Sequence, residues 1–543
     1  MFIAAFDYER QPMSPVLPKI PASSNIALVN GRFYTVNQDQ PWASALLVTD
    51  GKIAAVGDDD EILQQRPQDA EVVDLGGRMV MPGIHDAHAH LLLSGLKFHH
   101  EVRLTPHASP QQIIEDLKDG IERLNFDALD GWVIGGEYNP AAFPDGLPDR
   151  KYLDEAFPDR PIFLYEYSIH HGMANTRALE LAGVTRDTPD PVGGRIVRRP
   201  DGEPTGELIE DATWLVKQMI PNYPRETYRE AMKWAIDTCN RLGVTSIQEA
   251  SAIGPQLTAM ADLEASGELT AQITAHLVWG VSSLGLAPKD ELEKIIDDRA
   301  SYALPHVNTN FVKMILDGAP LPPHFTQANL TAEDEPDWDS VLLTHRKITD
   351  TIAKYDALGL TVKIHCAGQG SLRAALDAIE EVRTRNGDGV RHEIAHCAFV
   401  PESDLPRLGQ LNVTAEMSPA MWHLPEYEAS LGSGFKFADV LEAGALMTVG
   451  SDWIITDGPN LFPPLQGMLS RGDQSIDLKT ALRCMTLDGA RTINRLDEQG
   501  SLEVGKSADL IVLDRNLFDI PVTEIGQTTV LATIFEGRVV YQA

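Results

Sequence analysis

The chain has 543 residues, with 45 Lys and Arg against 79 Asp and Glu, and a formal net charge of −34. This acidic balance argues against nucleic acid and anionic membrane surfaces as main partners, because both select basic faces. At about 100–200 residues per domain, the length is too great for one small core and suits a barrel enzyme with an insertion or a second domain.

Cysteine usage and the N-terminus bear on the compartment. The four cysteines form no Cys-x-x-Cys pair and predict buried free thiols in a reducing compartment. The first residues lack the basic start and long apolar stretch of a signal peptide, and no window approaches about 20 uninterrupted apolar residues. We therefore expect a cytoplasmic protein with no membrane association.

The two ends of the chain share a sequence pattern that predicts short strands and turns. Residues 1–24 are rich in Pro and Ser and predict a loose N-terminal arm. Short apolar runs separated by turns then predict β-strands, and Asp50-Gly51 between two of these runs is a hairpin signal. The last residues of the chain show the same alternation of short apolar runs and turns. Neither end could bury its apolar face alone, so we expect residues 25–80 and 495–543 to form one composite β-sandwich.

Residues 81–494 alternate β-branched runs with longer helical stretches, which is typical of parallel β/α units. The predicted fold is therefore an α/β protein built on a (β/α)8 TIM barrel. The stretch of about 95–240 is too long for one loop and predicts an insertion after strand 1, over the barrel mouth. The eight predicted strands are 81–90, 244–250, 273–279, 311–317, 361–366, 392–397, 413–418 and 446–452.

The first predicted barrel strand ends in His88-Ala-His90. Side chains at i and i+2 of a strand point the same way, so the two imidazoles converge. Imidazole is the commonest protein ligand for zinc and similar metals. Taken alone the signal is weak, since two surface histidines near a turn would give the same pattern.

Four later predicted strands carry residues that suit a metal site. Each has a plain alternative: a lysine on the barrel wall, a satisfied core histidine, or an aspartate that caps a helix. Active sites in barrels lie at the C-terminal ends of the strands, and the joint occurrence there predicts a metal centre. These residues are Lys313, His365, His396 and Asp452.

The pattern Pro82-Gly-Ile-His-Asp86-Ala-His88-Ala-His90 resembles the opening motif of the amidohydrolase superfamily, and the resemblance spans nearly the whole chain. Within this superfamily, the sequence is most similar to the branch of N-substituted formamide deformylases. Residues 132–135, 171–175 and 312–318 also resemble motifs of that branch. Gly368 stands where adenosine-deaminase-like members with one metal carry Glu, which argues against a deaminase of that type.

The resemblance implies a ligand set for two divalent metal ions. His88, His90 and Asp452 would bind the more buried ion, and His365 and His396 the more exposed one. Lys313 would bridge both as a carbamate formed with CO2, because an ammonium cannot ligate a cation. Zinc is the expected metal, although histidine and carboxylate ligands also suit manganese, cobalt or iron.

Four positions depart from the branch. Gln369 stands where Asp is usual, Ala395 where Glu is usual, Glu249 where Asp is usual, and His170 where Gly is usual. Gln369 and Ala395 flank expected ligands, so the groups that orient those ligands can differ. The departures bear on the substrate more than on the metal.

The expected reaction is hydrolysis of a C–N amide bond in a small N-formyl or N-acyl amine. Metal-activated hydroxide would attack, with Asp452 as general acid and base. His171 and Trp422 are candidate substrate-binding residues, and a homo-oligomer, dimer or higher, is expected. The alternatives are an ester, lactone or carbamate hydrolase, a lyase such as a decarboxylase, and a non-catalytic scaffold.

Overall fold

The computed structural model describes residues 17–423, 431–432 and 434–543. Most of the predicted arm thus lies outside the described residues, while Leu17 and Ile20 are buried in a core with the first strands. The chain divides into two compact units. The first comprises the described residues up to His85 together with 239–245 and 477–543, and the second comprises 86–238 and 246–476.

Strands from the two ends of the chain form two sheets. The first has the order β5-β4-β1-β6 and the second β24-β23-β22-β7-β2-β3. Apolar side chains of both sheets, among them Leu46, Phe33 and Leu510, share one buried cluster. The strands are β1 (Asn25–Val29), β2 (Arg32–Tyr34), β3 (Trp42–Ala43), β4 (Ala45–Thr49), β5 (Lys52–Gly57), β6 (Glu71–Asp74), β7 (Met79–Pro82), β22 (Leu510–Leu513), β23 (Val530–Phe535) and β24 (Arg538–Gln542).

The predicted hairpin turn at Asp50-Gly51 is confirmed. β4 and β5 pair antiparallel with Thr49 opposite Lys52. Asp50 and Gly51 have φ of 48° and 78°, and a two-residue turn of this hand needs positive φ at both central positions.

The predicted barrel is confirmed as one sheet of eight strands in the order β21-β20-β19-β18-β17-β16-β15-β8. Pairing is parallel from β15 through β21. The two end strands approach each other where the Asp452 N–H donates to the His88 carbonyl at 2.7 Å. The strands are β8 (Ile84–Ala89), β15 (Val244–Ala252), β16 (Gln272–Val278), β17 (Val307–Ile315), β18 (Thr361–His365), β19 (Glu393–Ala395), β20 (Thr414–Met417) and β21 (Leu446–Val449).

A third sheet, of six strands, lies in the chain between the first two barrel strands. Its order is β13-β14-β12-β11-β10-β9, with both parallel and antiparallel pairs. It has its own buried cluster, which includes Val133, Phe163 and Leu208. The strands are β9 (Val102–Arg103), β10 (Val133–Tyr138), β11 (Ile162–Glu166), β12 (His171–Ala174), β13 (Gly194–Arg198) and β14 (Pro204–Glu210).

Helices connect the strands. Among the described residues, no helix has the length and apolar character needed to cross a bilayer. All four cysteines are buried free thiols. The α-helices are Asp59–Gln65, Leu91–His99, Pro110–Arg123, Lys151–Ala156, Thr176–Leu181, Trp214–Lys217, Arg225–Arg241, Gly254–Ser266, Ser282–Gly285, Lys289–Asp297, His345–Ala357, Gln369–Asn386, Leu405–Gln410, Phe437–Glu442, Phe462–Leu469, Leu478–Cys484 and Leu487–Thr492.

Candidate metal centre

The two histidines of the His-x-His motif converge as the strand period requires. Both are buried, and their ring centroids lie 5.4 Å apart. His88 lies within β8, while His90 follows its last residue and precedes the helix Leu91–His99. The pair therefore stands at the C-terminal end of the first barrel strand, where barrel active sites lie.

Asp452 completes a triad with these histidines. Its Oδ1 lies 3.7 Å from His88 Nε2 and 3.5 Å from His90 Nε2. One ligand atom from each residue lies within 4.8 Å of the others, and all three residues are buried. Asp452 lies three residues beyond β21 with a left-handed φ of 49°. Strained backbone of this kind clusters at functional sites.

Buried polar groups fix the orientation of both histidines. His88 Nδ1 donates to Glu416 Oε2 at 2.6 Å, and His90 Nδ1 lies 2.6 Å from Ser251 Oγ. Each Nδ1 is thereby engaged, and Nε2 of both rings faces Asp452. Histidines that bind metals in proteins are held in this way by a partner on the other ring nitrogen.

His365 and His396 lie beside this triad. The His396 ring centroid is 4.6 Å from that of His88 and 4.6 Å from that of His365. His396 Nδ1 lies 3.9 Å from Asp452 Oδ2. His365 Nδ1 lies 3.1 Å from Asp317 Oδ1, so its Nε2 is the nitrogen available to a metal.

Lys313 is buried within β17, at 2% relative exposure. Burial and, with a smaller effect, the charge of Lys313 lower the pKa of His88, His365 and His396. Burial and, after it, the charge of Lys363 lower the pKa of Lys313 itself to about 8. A share of the amine is therefore neutral near neutral pH, and only a neutral amine can react with CO2.

The donor set fits divalent metal ions. Burial lowers the pKa of His88, His365 and His396, so these imidazoles are neutral near neutral pH. Burial raises the pKa of Asp452, but His90 and His396 outweigh it and hold the carboxyl well below its usual range. Neutral imidazole and ionised carboxylate are the forms that bind metal.

A cavity of about 160 Å³ lies near this cluster, since its lining includes His170, whose ring centroid is 5.5 Å from that of His365. Leu93, Ile315 and Ile454 line it, and they follow His90, Lys313 and Asp452 by two or three residues. Most of the wall is apolar. Its charged residues are Lys97, Glu101, Glu137, Glu210, Asp211, Lys217 and Lys289.

The two candidate substrate residues lie in different surroundings. His171 is 3% exposed, and its ring centroid lies 5.3 Å from that of His324. Trp422 packs against Arg471, whose guanidinium carbon lies 3.7 Å from the ring centroid. The cavity lining instead includes His170, whose ring centroid is 5.5 Å from that of His365.

The structure also locates the other three positions at which the sequence departs from the formamide deformylase branch. Glu249 accepts hydrogen bonds from the backbone N–H of Ser251 at 3.0 Å and from that of Leu91 at 2.7 Å. It therefore links two residues next to His90: Leu91, which follows it in the chain, and Ser251, which contacts its ring. Ala395 is buried at the end of β19, and Gln369 is exposed at the start of a helix. A Cβ at Gly368 would meet the carbonyl oxygen of Ala328 at 1.9 Å, so a larger residue has no room there.

Two carboxylates in this site were not predicted from the sequence. Glu416 accepts from His88, and Asp317 contacts His365 and accepts from Ser371 Oγ at 2.6 Å. Glu416 lies between the apolar residues Ala415 and Met417 on the buried strand β20. A carboxylate in such a strand is a signal that a sequence can give for a functional residue. Its partner, however, is 328 residues away in sequence, so no local pattern could have named it.

The sequence profile of the amidohydrolase family matches residues 71–541. The chain belongs to the amidohydrolase family. An N-substituted formamide deformylase of Arthrobacter pascens is 26% identical, over 95% of this chain and 98% of its own. Protein LONG AFTER FAR-RED 3 of Arabidopsis thaliana is 27% identical, over 95% and 92%.

A solved structure shares the fold of this amidohydrolase. It is an uncharacterized metal-dependent hydrolase of Pyrococcus horikoshii OT3, superposed with a TM-score of 0.72 at 24% identity. The superposition covers 92% of this chain and all of the other. The α/β fold with its barrel sheet is therefore shared with an experimental structure over most of this chain.

Proposed function

We propose that this amidohydrolase is a metal-dependent enzyme that hydrolyses the C–N amide bond of a small N-formyl or N-acyl amine. The buried triad of His88, His90 and Asp452 carries the proposal, because its ligand atoms converge within 4.8 Å at the end of the barrel strands. The similarity to an N-substituted formamide deformylase supports an amide as the substrate.

Two divalent ions, expected to be zinc, are proposed for this site. His88, His90 and Asp452 would hold one, His365 and His396 the other, and a carbamate on Lys313 would bridge them. Such ions supply Lewis acidity, which lowers the pKa of water and polarises a carbonyl group.

Asp452 is the proposed general acid and base. It is ionised near neutral pH: burial raises its pKa, but the hydrogen bond with His90 leads the influences that outweigh burial and lower the pKa. It takes a proton from the water molecule whose oxygen forms the new C–O bond. It returns that proton to the nitrogen as the C–N bond breaks, so that an amine and a carboxylic acid leave.

The cavity favours a substrate with a small apolar substituent. Leu93, Ile315 and Ile454 form the wall next to the metal cluster, and Trp279 and Leu342 extend it. Lys97 is already bonded to Glu137 and to the carbonyl of Ile454. Burial raises the pKa of Glu101 to about 7 and lowers that of Lys217 to about 8.

Elemental analysis of the purified protein with an amine-release screen tests this proposal. The panel contains N-formyl and N-acetyl n-alkylamines, each with the matched ester. We expect bound metal and faster turnover of amides. Ester turnover without amine release would contradict amide specificity. The homo-oligomer and the cytoplasmic location stay predictions, and light scattering after size exclusion tests the first.

A further inference from the structure

One wall of the cavity runs from the metal cluster to Glu101. The helix Leu91–His99 directly follows His90, and the cavity lining includes Leu93, Lys97 and Glu101, which recur at intervals of four residues. Residues four apart lie on one face of a helix. From Leu93 to Glu101 the wall extends about 12 Å at the helical rise of 1.5 Å per residue. Glu101 therefore lies at the end of this wall that is remote from the metal ligands.

The sheet between the first two barrel strands connects Glu101 with Tyr165. Glu101 directly precedes β9, whose Arg103 lies opposite Gly136, and Gly136 lies opposite Tyr165 on β11. Neighbouring strands are about 4.8 Å apart, so β9 and β11 are separated by about 10 Å. Gly136 has no side chain to fill the space between them, and Glu101, Gly136 and Tyr165 all line the cavity.

Lys217 reaches the same part of the cavity from another element. It ends the helix Trp214–Lys217, and its Nζ lies 4.8 Å from the ring centroid of Tyr165. The ammonium donates to the Ser283 carbonyl at 3.3 Å. Ser283 is its one hydrogen-bond partner among the described residues, and no carboxylate there is close enough for a direct ion pair.

The other charged side chains of the cavity wall have polar partners within the protein. They are Lys97 with Glu137, Glu210 with His170, and Asp211 with Ser283 and Lys289. Glu101 differs from them, since its side chain has no hydrogen bond or ion pair in the part of the chain that the structure describes. Glu101 and Lys217 are therefore an acid and a base that line one cavity without direct contact.

A group that both donates and accepts hydrogen bonds satisfies such a pair. A polar group in a cavity costs free energy unless it is hydrogen-bonded. The carboxylate of Glu101 accepts, and the ammonium of Lys217 donates. A substrate cation beside Glu101 would also face Lys217, and a substrate anion beside Lys217 would face Glu101. A hydroxyl is the smallest neutral group with both functions, and it suits a cavity of about 160 Å³.

We propose that Glu101 and Lys217 form a subsite for a hydroxyl group at the end of the substrate's amine substituent. The hydroxyl O–H donates to the Glu101 carboxylate, and its oxygen accepts from Lys217 Nζ. The inference rests on the proposed amide hydrolysis and specifies its substrates as N-formyl or N-acyl derivatives of ω-hydroxyalkylamines. The apolar side chains of Leu93 and Ile454 face the alkyl chain between the metal cluster and the subsite. Neither Glu101 nor Lys217 touches the reacting atoms, so both determine specificity.

The experiment compares four N-acetyl amines of equal chain length that end in a hydroxyl, a methyl, an ammonium or a carboxylate group. Chains from butyl to octyl are screened first for the best length. In the wild type we expect kcat/KM of the hydroxyl compound to exceed that of the methyl compound about 10–100-fold, because the methyl group leaves both side chains unpaired. Both charged compounds should be slower than the hydroxyl compound. Equal rates for the hydroxyl and methyl compounds, or fastest turnover of a charged one, would overturn the subsite.

The Glu101→Leu, Lys217→Met double variant should lose the preference for the hydroxyl compound and favour the methyl compound. It removes one charge of each sign, so no unpaired charge stays in the cavity. Metal content and melting temperature are measured alongside. Lys118→Met, at an exposed lysine of the same compact unit, is the control and should match the wild type. An unchanged preference in the double variant would contradict the assignment, and the wild-type comparison tests it without any variant.

A binding measurement separates this inference from the proposed function. The probes are hydroxyl- and methyl-terminated ketones in which CH2 replaces the amide nitrogen, so that no amide bond is present. Calorimetry should give a Kd about 10–100-fold lower for the hydroxyl ketone in the wild type, and similar values in the double variant. If no amide is hydrolysed, the proposed function fails, while this difference would still support the subsite. Equal Kd values in the wild type would refute it.

Discussion

Lys313 and Lys363 lie opposite each other in register on the neighbouring strands β17 and β18. Both are buried, at 2% and 0% relative exposure. Two ammonium groups side by side in an apolar interior repel, and each is also penalised by the loss of water. Lys363 is compensated, since its Nζ donates to the Ala87 carbonyl at 2.5 Å and lies 3.2 Å from Glu393 Oε2.

The two lysines therefore differ in their surroundings. Lys363 has an anionic partner in Glu393, whereas burial and, after it, the charge of Lys363 lower the pKa of Lys313 to about 8. A neutral Lys313 amine is what carbamate formation requires. The arrangement supports the proposed bridge and gives the first two predictions.

Replacing Lys313 with Ala should abolish amide hydrolysis and lower metal content, because the bridging anion is lost. Short carboxylates such as acetate or propionate should restore part of the activity by filling the space between the metals. Activity and metal per chain are measured with and without the carboxylate. Lys354→Ala, at an exposed lysine, serves as the control. Normal activity and metal content in Lys313→Ala would refute the carbamate assignment.

Replacing Lys363 with Met should destabilise the protein, because it leaves the Glu393 carboxylate buried without its cation. Burial raises the pKa of Glu393, but Lys363 and His276 outweigh it and bring the value to about 2. The single variant should lose on the order of 3–5 kcal/mol, and the Lys363→Met, Glu393→Leu double variant should recover most of it. Urea unfolding of the metal-free protein measures both. An equal loss of unfolding free energy in the single and the double variant would show that the unpaired Glu393 carboxylate is not the cause of the destabilisation.

Glu416→Gln should weaken metal binding without unfolding the protein. The carboxylate accepts from His88 Nδ1 at 2.6 Å and thereby holds the ring with Nε2 toward Asp452. Loss of such a partner lowers metal affinity by about 10–100-fold. Competition with a chromophoric chelator measures the zinc Kd, with Glu442→Gln at an exposed site as the control. An unchanged Kd would mean that Glu416 does not orient the ligand.

Glu166 should make stability fall as pH rises. Burial raises its pKa to about 8 from the ordinary 4.5, so the folded state holds a proton that the unfolded state releases above that ordinary value. Between about pH 4.5 and 8 this lowers the free energy of unfolding by up to about 1.4 kcal/mol per pH unit. Glu166→Gln should flatten that slope in urea unfolding. Parallel slopes for both proteins would contradict the raised pKa.

The sequence predicted what depends on local periodicity. Convergence of His88 and His90 follows from the two-residue period of a strand, and the placement of Lys313, His365 and Asp452 follows from where barrel strands end. These rules need no knowledge of the rest of the chain. They account for the barrel and for the candidate metal ligands that it brings together.

The remainder depends on contacts between distant segments. Glu416 and Asp317 hold histidines that are far away in sequence, so only the folded barrel pairs them. The sequence also favoured His171 over His170 for the substrate. His170, which lines the cavity, follows a left-handed residue, Ile169, and no spacing rule indicates such a turn.

Amine release as a function of metal loading tests the central claim most directly. The protein is stripped with a chelator, titrated with zinc, and assayed on the best N-formyl or N-acetyl amine, with His88→Ala in parallel. Amine release should be absent without metal, rise with added zinc to a plateau in the wild type, and stay absent in His88→Ala. Release that persists in the stripped protein or in His88→Ala would contradict a metal-dependent amide hydrolase centred on these residues.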